Sequence, residues 1–162
     1  MGSSHRRLEM SDCLTFPSCT DFPRFSHRAI LLDSSRHFQP LSIIRDMIDA
    51  MAAVKLNVLH WHLVDEVSFP FNSTAAPYLS MGAWSYHETY SADDLRGIVA
   101  YARDRGVRIM AEIDTPGHSF SWSYGYPGVI TDCPNAVARY GPAEAVMDPS
   151  NVGLHDCLSI TR

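Results

Sequence analysis

Two histidines, His60 and His62, stand two residues apart in the run Asn57-Val-Leu-His-Trp-His-Leu-Val-Asp65, and a third closes Glu112-Ile-Asp-Thr-Pro-Gly-His118. Arg36 follows Leu32-Asp33-Ser34-Ser35. These side chains move protons, bind anions or hold metals. Side chains alternate between the faces of an extended strand, so His60 and His62 are expected on one side, with Asp65 where the run ends. With Asp65 and His118 added, the set has the donors of a catalytic zinc site, and one reading is a metal-dependent hydrolase using His60, His62 and His118. Taken singly, each histidine reads as a hydrogen-bonded core residue and Arg36 as an ion-pair partner of Asp33 or Asp65. Glu112 and Asp114 are candidates to fix the tautomer of His118.

These residues need elements to place them. Residues 1–21 have no sustained period and read as an irregular lead-in, with 22–162 as one α/β domain. Ala29-Ile-Leu-Leu32 reads as a buried parallel strand. After Pro40, Leu41, Ile44, Met47, Ile48, Met51 and Ala52 recur at helical spacing. The His-Trp-His run is the second strand, buried on both faces apart from its polar positions, and a long loop follows to about Tyr90. Ser91-Ala-Asp-Asp94 resembles a capping box that opens a helix ending near Gly106. Val107–Ile113 is the third strand, and the chain from Ser119 onward reads as loop. Strand, helix, strand, helix, strand implies a parallel sheet, and the titratable residues fall at the carboxyl ends of its strands, where α/β barrels build their sites. No GxGxxG follows the first strand, which disfavours a dinucleotide-binding sheet. The expected fold is therefore a partial (β/α)8 TIM barrel of about three βα units.

Composition sets the outer bounds. The 162 residues, 46% hydrophobic and 19% charged with a formal net charge of -5, read as an ordinary globular chain for which nucleic acid is not an expected ligand. A closed barrel usually needs ~250 residues. No stretch approaches the ~20 apolar residues of a membrane span, and no signal peptide is evident in the opening residues. Cys13, Cys19, Cys133 and Cys157 contain no CxxC pair, so a zinc ribbon is not expected. Asn72-Ser-Thr74 fits the N-glycosylation acceptor pattern.

Three blocks resemble the family 20 glycoside hydrolases, the β-N-acetylhexosaminidases, in order and approximate spacing. They are Arg24-Phe-Ser-His-Arg28 with Leu32–Phe38, Asn57–Asp65 with Ser68-Phe-Pro70, and Glu112–His118. Ser121-Trp122-Ser123 departs from the Ser-Trp-Gly usual in the family. The resemblance covers residues 21–128 and implies a barrel that needs neither metal nor cofactor. It implies that Arg36 binds hydroxyls of a terminal N-acetylglucosamine or N-acetylgalactosamine, that Asp65 orders the site, and that His118 supports catalysis from beside the acid. The implied chemistry is retaining and substrate-assisted, with an Asp-Glu pair on a fourth strand. No Gly-Gly-Asp-Glu block occurs between Ser119 and Arg162, so the chain is expected to be inactive alone, and Glu66 is expected to face solvent. A further reading is a non-catalytic chain that binds amino sugars or pairs with a partner. The resemblance also implies a dimer for the full-length protein and a lysosomal or secreted location.

Overall fold

A computed structural model describes residues 20–134 and 146–151. The lead-in expected over 1–21 lies almost wholly outside the described residues, as do Cys13, Cys19 and Cys157; Cys133 is exposed. Three strands, β1 (Ala29–Asp33), β2 (Val58–Val64) and β3 (Arg108–Ile113), form a parallel sheet in that spatial order. Two helices connect them, α1 (Leu41–Ala53) and α2 (Ala92–Arg103), giving the βαβαβ arc of an α/β barrel. No described helix is long and apolar enough to cross a membrane.

Each helix forms for a reason visible in its residues. In α1, Ile44, Ile48 and Met51 fall on one buried face, and Pro40 stands immediately before the first turn. In α2, the Asp94 amide donates to Ser91 Oγ at 3.1 Å while the Ser91 amide donates to Asp94 Oδ2 at 2.8 Å, so both orphan donors are satisfied. Gly106, at φ 71°, takes the left-handed turn by which the chain leaves the helix for β3. The helices pack on one face of the sheet, where Leu59, Trp61 and Leu63 join Ile44, Ile48, Ile98 and Ala102 in a single core.

The opposite face carries His60, His62 and Glu112. Among the described residues no further strand pairs with β1 or β3, and Leu31 is 54% exposed. This corrects the expectation for β1: the strand forms, but only Leu32 is buried, because among the described residues β1 is an edge strand that leaves Leu31 open on its inward face and Ile30 partly open on the helix side. β2, paired on both sides, is buried as expected.

The stretches expected as loops contain two 3-10 turns, Pro77–Gly82 and Phe120–Tyr124, which lock against each other. A Cβ on Gly82 would sit 2.3 Å from the Ser121 carbonyl oxygen, and one on Gly125 would sit 2.0 Å from that of Tyr78. Only glycine permits this approach.

Leu59 is wholly buried at the centre of the core. Leu59→Ala should lower the free energy of unfolding by roughly 2–5 kcal/mol through lost burial and a cavity. Ser91→Ala should lower it by about 1 kcal/mol through the lost cap. Both are read from urea midpoints at unchanged slope.

Candidate functional site

The end of β2 organises the site. His62 lies opposite Glu112, but Val64 lies opposite Ile113, so Leu63 is one residue more than β3 can match. Such a bulge breaks the two-residue alternation. Asp65, three residues after His62, would otherwise project to the opposite face; here its Oδ2 accepts from His62 Nε2 at 2.5 Å. Asp65 is completely buried, and an ionised carboxylate there needs partners. Arg36 Nη2 supplies one at 2.9 Å, and the Glu66 amide donates to Oδ1 at 2.6 Å. Ser121 Oγ donates to the Asp65 carbonyl at 2.5 Å, tying the second 3-10 turn to the site.

Arg36 arrives from the turn after β1. Asp33 Oδ1 accepts from the amides of Ser35 and Arg36 at 3.1 and 3.0 Å, and Asp33 Oδ2 accepts from Arg36 Nη1 at 2.8 Å. Burial favours the neutral form of Asp33, but the bonds from Arg36 outweigh it and hold the carboxyl below its usual range. Arg36 is thus fixed between two carboxylates, with its side chain 46% exposed.

His118 arrives from the turn after β3. Its backbone is left-handed, at φ 53°, an uncommon state for a residue with a Cβ. Buried Ser119 secures the turn by placing its hydroxyl among the carbonyls of Asp114, Pro116 and Gly117, at 3.3, 3.2 and 2.8 Å; the Thr115–Pro116 bond is cis. His118 Nδ1 donates to Asp114 Oδ2 at 2.9 Å and lies 3.7 Å from Asp65 Oδ2. Arg36, Asp65 and His118, which follow three different strands, therefore meet at one end of the sheet.

Three expectations change. Glu66 does not face solvent: it is 14% exposed, with Oε2 3.5 Å from Arg36 Nη2 and 4.0 Å from His118 Nδ1. Glu112 bonds to His60, and its Oε2 lies 3.3 Å from His62 Nδ1, so Asp114 alone is bonded to His118. Finally, His60, His62 and His118 do not converge on a common point. The donor atoms that gather within 4.8 Å are those of His62, Asp65 and Asp114, and of Asp65, Glu66 and His118, where the Arg36 guanidinium already supplies a cation. Trp61 and Trp122 are core residues, whereas Trp84 is half-exposed. Its indole N–H donates to the Ser35 carbonyl at 2.9 Å, and it borders a cleft of about 430 Å³ with Arg36, His37, Phe38 and Glu88.

The family model for the glycosyl hydrolase family 20 catalytic domain matches residues 25–157. The beta-hexosaminidase subunit alpha of Rattus norvegicus is 47% identical over 145 residues, which are 86% of this chain and 27% of the relative. The Homo sapiens beta-hexosaminidase subunit beta is 46% identical over 132 residues, 79% of this chain and 24% of the relative. The chain thus spans about a quarter of the length of these curated relatives. Among solved structures, the Flavobacterium johnsoniae chitobiase superposes with a TM-score of 0.72 at 36% identity, over 86% of this chain and 21% of that one. A glycoside hydrolase family 20 beta-N-acetylglucosaminidase superposes at 0.71 with 30% identity, over 87% of this chain and 34% of its own. Three parallel strands joined by two helices, with charged groups gathered at the strands' carboxyl ends, fit what these matches share: the chain belongs to glycosyl hydrolase family 20 and carries part of that family's catalytic barrel.

Proposed function

We propose that this chain forms the sugar-binding arc of a β-N-acetylhexosaminidase acting on glycans that end in N-acetylglucosamine or N-acetylgalactosamine. The observation that supports this most directly is the fully buried Asp65 carboxylate, with Arg36 2.9 Å and His118 3.7 Å away at the open end of the sheet. Arg36 is held by Asp33 and Asp65, and its exposed part can donate to sugar hydroxyls. His118 has its Nδ1 proton committed to Asp114, which turns Nε2 to the work of supporting an acid.

In the retaining, substrate-assisted route, the acetamido oxygen of the sugar bonds to its own anomeric carbon as the bond to the leaving oxygen breaks. The leaving oxygen takes a proton from a carboxylic acid, and water then opens the cyclic intermediate and returns a proton to that group. The acid and the carboxylate that orients the acetamido group are assigned to an Asp-Glu pair outside this sequence. Glu66, adjacent to Asp65, is not given that role, because it is drawn into the ion pairs around Arg36.

The 162 residues alone should therefore not hydrolyse a chromogenic N-acetylglucosaminide, since loss of a general acid typically removes ~10²–10⁴-fold of rate. Grafting residues 25–157 in place of the matching segment of the rat relative should restore turnover. Robust hydrolysis by the short chain, abolished by Glu66→Gln, would place the acid in this sequence and overturn the assignment. In the graft, Arg36→Ala should mainly raise KM, if it binds ground state and transition state alike. His118→Ala should mainly lower kcat, which steady-state kinetics on the same substrate will separate.

A further inference from the structure

A row of three titratable residues runs across the sheet in register: Asp33 on β1, His62 on β2 and Glu112 on β3. His62 in the middle is 6% exposed and meets carboxylates at both ring nitrogens. Nε2 is 2.5 Å from Asp65 Oδ2, and Nδ1 is 3.3 Å from Glu112 Oε2. An ionised carboxylate only accepts hydrogen bonds, and a neutral imidazole has one N–H. A neutral ring would turn a lone pair toward one of the two carboxylates, whereas the imidazolium turns an N–H toward both.

We propose that His62 is a positioning residue, a fixed imidazolium that links Glu112 on β3 to Asp65 and sets the direction in which Asp65 presents its carboxylate to Arg36 and His118. The assignment of a purpose to this link rests on the glycosidase reading; the link itself does not.

The charges around His62 favour this state. Asp33 faces it from β1, Asp65 follows it on β2, Glu112 faces it from β3, and Asp114 beyond β3 completes a group with His62 and Asp65. The cationic or potentially cationic neighbours are Arg36, held by Asp33 and Asp65, His60, bonded to Glu112, and His118, bonded to Asp114. Burial disfavours the charged ring, but the bonds to Asp65 and Glu112 and the charge of Asp33 outweigh it, so His62 holds its proton above the ordinary imidazole value of 6.5. For Glu112, burial likewise opposes ionisation and is outweighed by His62 and His60, which leaves it below its ordinary 4.5. The folded state binds the His62 proton more tightly than the unfolded state does. The resulting stability is therefore complete below pH 6.5 and is lost as pH rises through the folded value.

Nitrogen-15 NMR of the histidine rings in the 162-residue chain tests the proposal. The second nitrogen of His62 should lose its proton only above the ordinary imidazole value of 6.5. Asp65→Asn should move the Nε2–H resonance, Glu112→Gln the Nδ1–H resonance, and His118→Ala neither. The wild-type titration needs no variant: a His62 that gives up its second ring proton at or below pH 6.5 overturns the proposal, as does an Nε2–H indifferent to Asp65→Asn. Titrating N-acetylglucosamine into the same sample separates the two ideas. Absence of binding with the doubly protonated ring intact counts against the amino-sugar reading and leaves the clamp standing.

Discussion

A fully buried carboxylate has to be answered by positive charge or by hydrogen-bond donors, and Asp65 is the group around which this molecule meets that demand. Its side chain is fully buried, yet Arg36 from beyond β1, His62 from β2 and the Glu66 amide all reach it, with His118 from beyond β3 within 3.7 Å. Removing one partner of such a group typically costs about 3–5 kcal/mol, because the remaining charge is left uncompensated. The constraint therefore binds three strand ends to one atom. It also extends to the loops, since Ser121 reaches the Asp65 carbonyl and Gly82 lets the other 3-10 turn close against Ser121.

The sheet divides the labour between its faces. Leu59, Trp61 and Leu63 pack toward the helices, while His60, His62 and Glu112 form a polar stripe on the other side. Polar contacts and core packing are therefore carried by alternate residues of one strand, which a period of two makes possible. The bulge at Leu63 is where the pattern is interrupted, and it brings Asp65 onto the polar face.

Much of this was legible in the sequence. The helical periods and the Ser91–Asp94 cap predicted α1 and α2, and the alternation of His60 and His62 predicted that they share a side, as their common contact with Glu112 shows. The positions of Arg36, Asp65 and His118 at strand ends predicted a common neighbourhood. What escaped depends on more than spacing. A bulge is a mismatch between two strands and has no signature in either alone, so the turn of Glu66 into the ion-pair cluster was not foreseen. Glu112 and Asp114 were equivalent candidates to hold His118 until the register placed Glu112 beside His62. Burial of β1 was overestimated because an apolar run does not say which neighbours cover it.

The left-handed backbone at His118 has a consequence for how this segment can drift under mutation. Histidine, with asparagine and aspartate, is among the side-chain-bearing residues enriched in that conformation, and glycine adopts it freely, so the turn itself admits only a short list of replacements. Asparagine, aspartate or glycine would keep the turn while deleting the imidazole that Asp114 holds. The backbone at this position is therefore more permissive than the ring contact: a substitution can keep the turn and remove only the imidazole bonded to Asp114.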